Sequence, residues 1–146
     1  MTVLLKGRSG LKPLKDIYGD DLAIVFKHYP LNFHKDAVPA ALASLAAGEQ
    51  GLFWEYHDIL FENQKALQAD KLAMYAEQIG LDMEKWRVDK ERQSLKDLVA
   101  RDMREGSKAG VRGTPSVFIN GRRFQPTGGY TVEGFKAAID KEILKK

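Results

Sequence analysis

No cysteine occurs in the 146 residues. Its absence excludes disulfide staples, Cys-x-x-Cys redox centres and thiolate metal sites for this chain. Long apolar runs are missing too. None reaches the ~18 residues a membrane-spanning helix needs, so no membrane partner is expected. The first residues hold only a short apolar trio, Val3, Leu4 and Leu5, followed by Lys6 and Arg8. A signal peptide needs basic residues first and then ~7–15 apolar ones, and this order is the reverse. The compartment is therefore not readable from the chain. Charge of one sign is scarce as well: 23 Lys and Arg stand against 20 Asp and Glu, a net +3. The acidic residues are interspersed, and Lys141, Lys145 and Lys146 form the one dense basic cluster. Such a surface predicts no nucleic-acid partner.

Several site chemistries are also unsupported. The three histidines, His28, His34 and His57, form no HExxH and no i, i+4 pair, so no metal site is expected. Ser9, Ser44, Ser94, Ser107 and Ser116 lack the G-x-S-x-G elbow of a serine hydrolase. No GxxxxGK[ST] phosphate cradle occurs, and no cofactor is implied.

What is present is a chain of one-domain size, 44% hydrophobic and 29% charged, enough for a core and a solvated surface. Lys12 to Tyr18 reads as a short helix closed by Gly19. Leu22 to Phe26 is five apolar residues in a row before Pro30, which suggests a strand buried on both faces. A helical stretch follows. It starts near Val38 with Pro39 in its first turn and continues through Leu52–Asn63, Asp70–Ile79 capped by Gly80, a short helix from Asp82 with Trp86, and Glu91–Ala109. The period then changes. Ser116–Ile119 and Arg122–Gln125 read as two strands joined at Asn120-Gly121, the pair that a type I′ turn prefers. Thr131 caps a final helix over Glu133–Leu144. Phe53, Trp54, Tyr56 and Phe61 sit at helical spacing and fit core packing better than a peptide groove. The Arg122-Arg123 pair fits a solubility device on an edge strand.

The most distinctive motif runs from Gly110 to Gly121: Gly110-Val111-Arg112-Gly113-Thr114-Pro115-Ser116-Val117-Phe118-Ile119-Asn120-Gly121. Proline is tolerated at a strand's first residue, where its missing N–H is not needed. With Ile24–Leu31, Phe33–Ala37 and Gly51–Phe61 in the same order, the chain resembles the DsbA-like branch of the thioredoxin superfamily over about residues 11 to 144. The resemblance implies a thioredoxin-like α/β fold as a single domain over 1–146, with a helical insertion over about 34–109. It also implies a cis proline at Pro115. Arg112, Gly113, Thr114 and Pro115 would form a substrate-binding loop, with the Thr114 backbone pairing an extended peptide or unfolded protein in strand fashion.

The departure from that family is the cysteine pair. Counting back from Tyr18-Gly19-Asp20, the pair would fall near Met1 to Leu4, where Met1, Thr2, Val3 and Leu4 stand. The family's first strand would lie before residue 1. The expectation is an N-terminally truncated member of an oxidoreductase family that is catalytically incompetent as written. The alternative is a non-catalytic peptide-binding or chaperone-like module. Losing a central strand leaves backbone groups that each cost ~1–3 kcal/mol when buried unpaired. Repair is expected, either by Thr2–Leu5 or by pairing or segment swapping in a homo-oligomer such as a homodimer.

Overall fold

The computed structural model describes residues 7–127 and 129–143. The repairing strand expected at Thr2–Leu5, and Met1–Leu4 where the family's cysteine pair would fall, lie outside them. Seven helices and two strands follow in chain order among the described residues: α1 Gly7–Tyr18, α2 Ala37–Gly48, α3 Phe53–Glu62, α4 Ala69–Gln78, α5 Met83–Asp89, α6 Gln93–Lys108, β1 Val117–Ile119, β2 Arg122–Phe124 and α7 Val132–Ile143. They fall into two compact units, one of residues up to Lys27 together with Gly113 onwards, the other of His28–Arg112.

The first unit holds the hairpin. Ile119 pairs with Arg122 across a two-residue turn. Asn120 and Gly121 both have positive φ, 47° and 77°, as a type I′ turn demands. Val117 is fully buried and joins Leu11 and Leu14 of α1 and Phe135 and Ile139 of α7 in one apolar cluster. The Tyr18 hydroxyl ties α1 to α7, donating to Asp140 Oδ1 at 2.5 Å. Thr131 caps α7 through its Oγ1, which accepts the Gly134 N–H at 3.1 Å.

Leu22–Phe26 departs from expectation. Among the described residues it carries no strand ladder. Leu22 and Ile24 pack on the α1–α7 cluster, whereas Val25 is 39% exposed. The segment is extended and covered on one side only. A run of apolar residues does not reveal that its alternate members face water. Helix α1 also begins earlier than Lys12, at Gly7, and carries Pro13 within it.

The second unit is all helix. Ala40, Ala43, Ala46 and Ala47 give α2 a small-residue face, against which Tyr56, Leu72, Tyr75, Trp86 and Leu95 pack. The large aromatics there have their polar atoms satisfied: Trp86 Nε1 donates to the Ala43 carbonyl at 3.0 Å, and the Tyr56 hydroxyl to that of Leu72 at 2.8 Å. Helices α4 and α6 both end in Schellman geometry, with Gly80 (φ 79°) and Gly110 (φ 77°) as the left-handed residues.

Candidate functional site

The loop that opens β1 is the best-formed candidate. Thr114 and Pro115 are exposed, Gly113 is half-buried and Ser116 is buried. The Thr114–Pro115 peptide is cis. The loop is braced from within. Ser116 Oγ donates to the Gly113 carbonyl at 2.7 Å, closing a tight turn around Thr114 and Pro115. The Tyr130 hydroxyl donates to the Pro115 carbonyl at 3.4 Å. Tyr130 is itself seated in an aromatic trio, stacked on Phe135 with ring centroids 5.9 Å apart and tilted against Phe124 at 6.3 Å. Arg123 Nη2 reaches Ser116 Oγ at 3.5 Å. The Arg122-Arg123 pair is thus more than an edge decoration: Arg123 lies beside the loop, and Arg122 forms an ion pair with Glu142 at 3.4 Å.

Of the site residues read from the sequence, Gly113, Thr114 and Pro115 sit together in this turn, and Arg112 precedes them as an exposed residue. Ser116, Arg123 and Tyr130 were not singled out for it. Ser116 directly follows Pro115, which is a usable signal. Tyr130 follows two glycines and carries none. The arrangement offers an exposed loop braced by hydrogen bonds, and no thiol. Among the described residues no group of three or more His, Asp or Glu side chains is placed to hold a metal ion.

The aromatic residues of α3 divide between two faces. Tyr56 is buried in the helical core. Phe53, Trp54, His57 and Phe61 form a chain of ring contacts, with centroids 5.2 Å apart for Phe53–Trp54 and for Trp54–His57 and 4.5 Å for His57–Phe61. His28 and His57 are both buried. Burial pushes the His28 imidazole down to about 4, against a smaller opposing pull from Asp102. Burial likewise lowers His57, although its Nδ1 lies 3.1 Å from Asp58 Oδ1. Burial thus favours the neutral imidazole at both positions.

Comparison with known proteins bears on the family and the fold. The model of a family described as thioredoxin matches residues 9–141. Among solved structures, the chain is similar to a thioredoxin-like oxidoreductase from Silicibacter pomeroyi DSS-3, with a TM-score of 0.79 at 23% identity, covering 92% of this chain and 76% of that one. It is also similar to the thiol-disulfide exchange protein alpha-DsbA2 from Wolbachia pipientis, with a TM-score of 0.78 at 14% identity over 92% and 72% of the two chains. Among curated proteins it is 35% identical over 127 residues to a Na(+)/H(+) antiporter NhaA of Herminiimonas arsenicoxydans, covering 87% of this chain and 20% of that protein. With an NhaA 3 antiporter of Salinispora tropica it shares 39% identity over 116 residues, 79% of this chain and 18% of that protein. The chain thus spans about a fifth of the curated relatives it matches. No helix among the described residues is long and apolar enough to cross a membrane.

Proposed function

The chain belongs to the thioredoxin family, with a fold of DsbA type, and from that premise we propose that these 146 residues hold an extended polypeptide segment at the Gly113–Ser116 loop without performing thiol–disulfide exchange themselves. Exchange proceeds by attack of a thiolate on a disulfide sulfur. The chain has no cysteine to supply that thiolate, and no other side chain replaces it in that role. The redox half of the family's chemistry is therefore beyond these residues, and recognition is what they can contribute.

One observation carries the reading. Thr114 and Pro115 are exposed just before β1, while Ser116 Oγ holds the Gly113 carbonyl and the Tyr130 hydroxyl holds that of Pro115. An extended peptide adding to such an edge gains main-chain hydrogen bonds at low ordering cost, because the edge is already fixed. Side-chain identity matters less in this mode, which suits unfolded or flexible segments as ligands. Ion exchange, named for the longer relatives, is not part of the proposal.

The test uses the full chain and an alkylated, permanently unfolded polypeptide that has no free thiol. Saturable binding by fluorescence anisotropy is expected. Pro115→Ala and Tyr130→Phe should each weaken it, Pro115→Ala by about tenfold, or ~1.4 kcal/mol. An insulin-reduction assay on the same sample should show no turnover. Absence of saturable binding, or equal binding by both folded variants, overturns the reading.

A further inference from the structure

The helical unit is entered by the chain at His28 and left at Arg112, and the residues at this neck are tied to one another. The His28 backbone N–H donates to Asp102 Oδ2 of α6 at 3.0 Å. The next residue, Tyr29, has its hydroxyl 3.1 Å from Ser107 Oγ and 3.2 Å from the Val111 carbonyl. Its ring fits against Gly106, where a side chain would leave no room. The entry segment is thus held to the end of α6 by hydrogen bonds.

The side chain of His28 points the opposite way in this clasp, to α3. Its ring meets Phe53 edge-on at 6.0 Å, and His57 meets the same Phe53 at 5.9 Å. The two histidines are 6% and 3% exposed. Asp102 of α6 acts on His28 and Asp58 of α3 acts on His57, and a charge on His57 would also act against one on His28. Two imidazoles sharing one aromatic neighbour in a buried position favour the state in which both are neutral, because burial penalises each cation and two cations repel.

We propose that the neck of the helical unit is an acid-operated clasp, in which proton uptake by His28 and His57 separates the entry segment from α3 while the alanine-rich core stays packed. The sign follows from linkage. A histidine held below its ordinary value binds its proton more readily once the clasp is open, so acid favours the open form. With His28 near 4 when closed and near 6.5 when open, the opening constant rises on the order of thirtyfold between pH 7.5 and pH 5 from this residue alone.

Hydrogen exchange followed by mass spectrometry on the full chain tests this, with rates corrected for the intrinsic pH dependence of exchange. Residues 28–34 and 53–61 should open more than thirtyfold more at pH 5 than at pH 7.5, His57 adding to the roughly thirtyfold share of His28, while 69–90 keep their protection. His28→Asn and His57→Gln, each checked for folding by circular dichroism at pH 7.5, should both shrink that rise. If His28→Asn does not fold, His57→Gln alone must show the reduced response. A uniform loss of protection across all helices, an unchanged 28–34 segment, or a full response in His57→Gln would overturn the clasp.

Discussion

Replacing Gly106 with alanine separates two opposing effects at one atom. Gly106 lies inside α6, where alanine is favoured over glycine by about 1 kcal/mol on backbone grounds. An added Cβ would sit 2.9 Å from Tyr29 Cδ2 and 3.0 Å from Cε2, with Val111 Cβ at 3.7 Å. Contacts below 3.0 Å cannot stand, so the tyrosine ring must move. Its hydroxyl is held at both Ser107 and Val111, so moving the ring weakens two hydrogen bonds as well. Overpacking of this kind costs about 1–3 kcal/mol, and each lost bond about 0.5–1.5 kcal/mol. The steric and hydrogen-bond losses outweigh the helix gain. Gly106→Ala is expected to destabilise the protein by about 1–3 kcal/mol in urea denaturation followed by circular dichroism. The decisive measurement is the double mutant. In a Tyr29→Ala background the obstructing ring is gone, only the helix preference remains, and Gly106→Ala should then stabilise by up to about 1 kcal/mol. A substitution that destabilises equally in both backgrounds would refute the steric argument, and with it the account of how Tyr29 is held.

Two further sites yield checkable outcomes. Tyr18→Phe removes the hydroxyl shared by Asp140 and the Lys136 carbonyl and should cost about 1 kcal/mol in the same denaturation assay. Burial first, then the Asp140 carboxylate, pushes the Tyr18 phenol up to about 12, so its contribution is full below pH 10 and fades as pH rises through 12, which an ultraviolet phenolate titration can follow. Asp89 is buried, accepts from Lys85, and accepts from Arg92 Nη1 at 3.2 Å while Arg92 also reaches Glu49 at 2.7 Å. These donors, Lys85 foremost, hold its carboxyl below the usual range. Its contribution is therefore present above pH 4 and lost as pH falls below that, and Asp89→Asn should destabilise by about 1–2 kcal/mol at pH 7 and by less near pH 3.

The parts of the fold that could be read in advance are those decided by neighbours in sequence. Asn120-Gly121 had to turn, because two adjacent residues with positive φ are tolerable only there. Gly80 and Thr131 marked helix ends for similarly local reasons: a left-handed residue at one, a hydroxyl aimed at a free N–H at the other. Leu22–Phe26 misled because exposure is a tertiary property. Nothing in five consecutive apolar residues distinguishes a strand covered on both faces from an extended segment with Val25 toward water. The same limit applied to the site. Thr114 and Pro115 were legible as a turn before a strand. The hydroxyl of Tyr130 and the guanidinium of Arg123 join them only through the hairpin and the α7 aromatic trio. The spacing of His28 and His57 excludes a metal pair and says nothing more, because their common neighbour Phe53 is visible only once α3 is folded.

The distribution of these supports bears on what a thioredoxin scaffold can do without thiols. The hydrogen bonds that shape the Gly113–Ser116 loop come from Ser116 just before β1, Arg123 of β2 and Tyr130 on the approach to α7. None depends on a cysteine. The apolar support behind Tyr130, Phe124 and Phe135, likewise comes from the C-terminal hairpin and helix. The side chains that shape the loop are thus independent of thiol chemistry, which is what the proposed recognition without exchange requires. The role proposed for the chain is to hold a polypeptide and release it unchanged. The expected result is affinity for unfolded segments that does not vary with the redox poise of the solution.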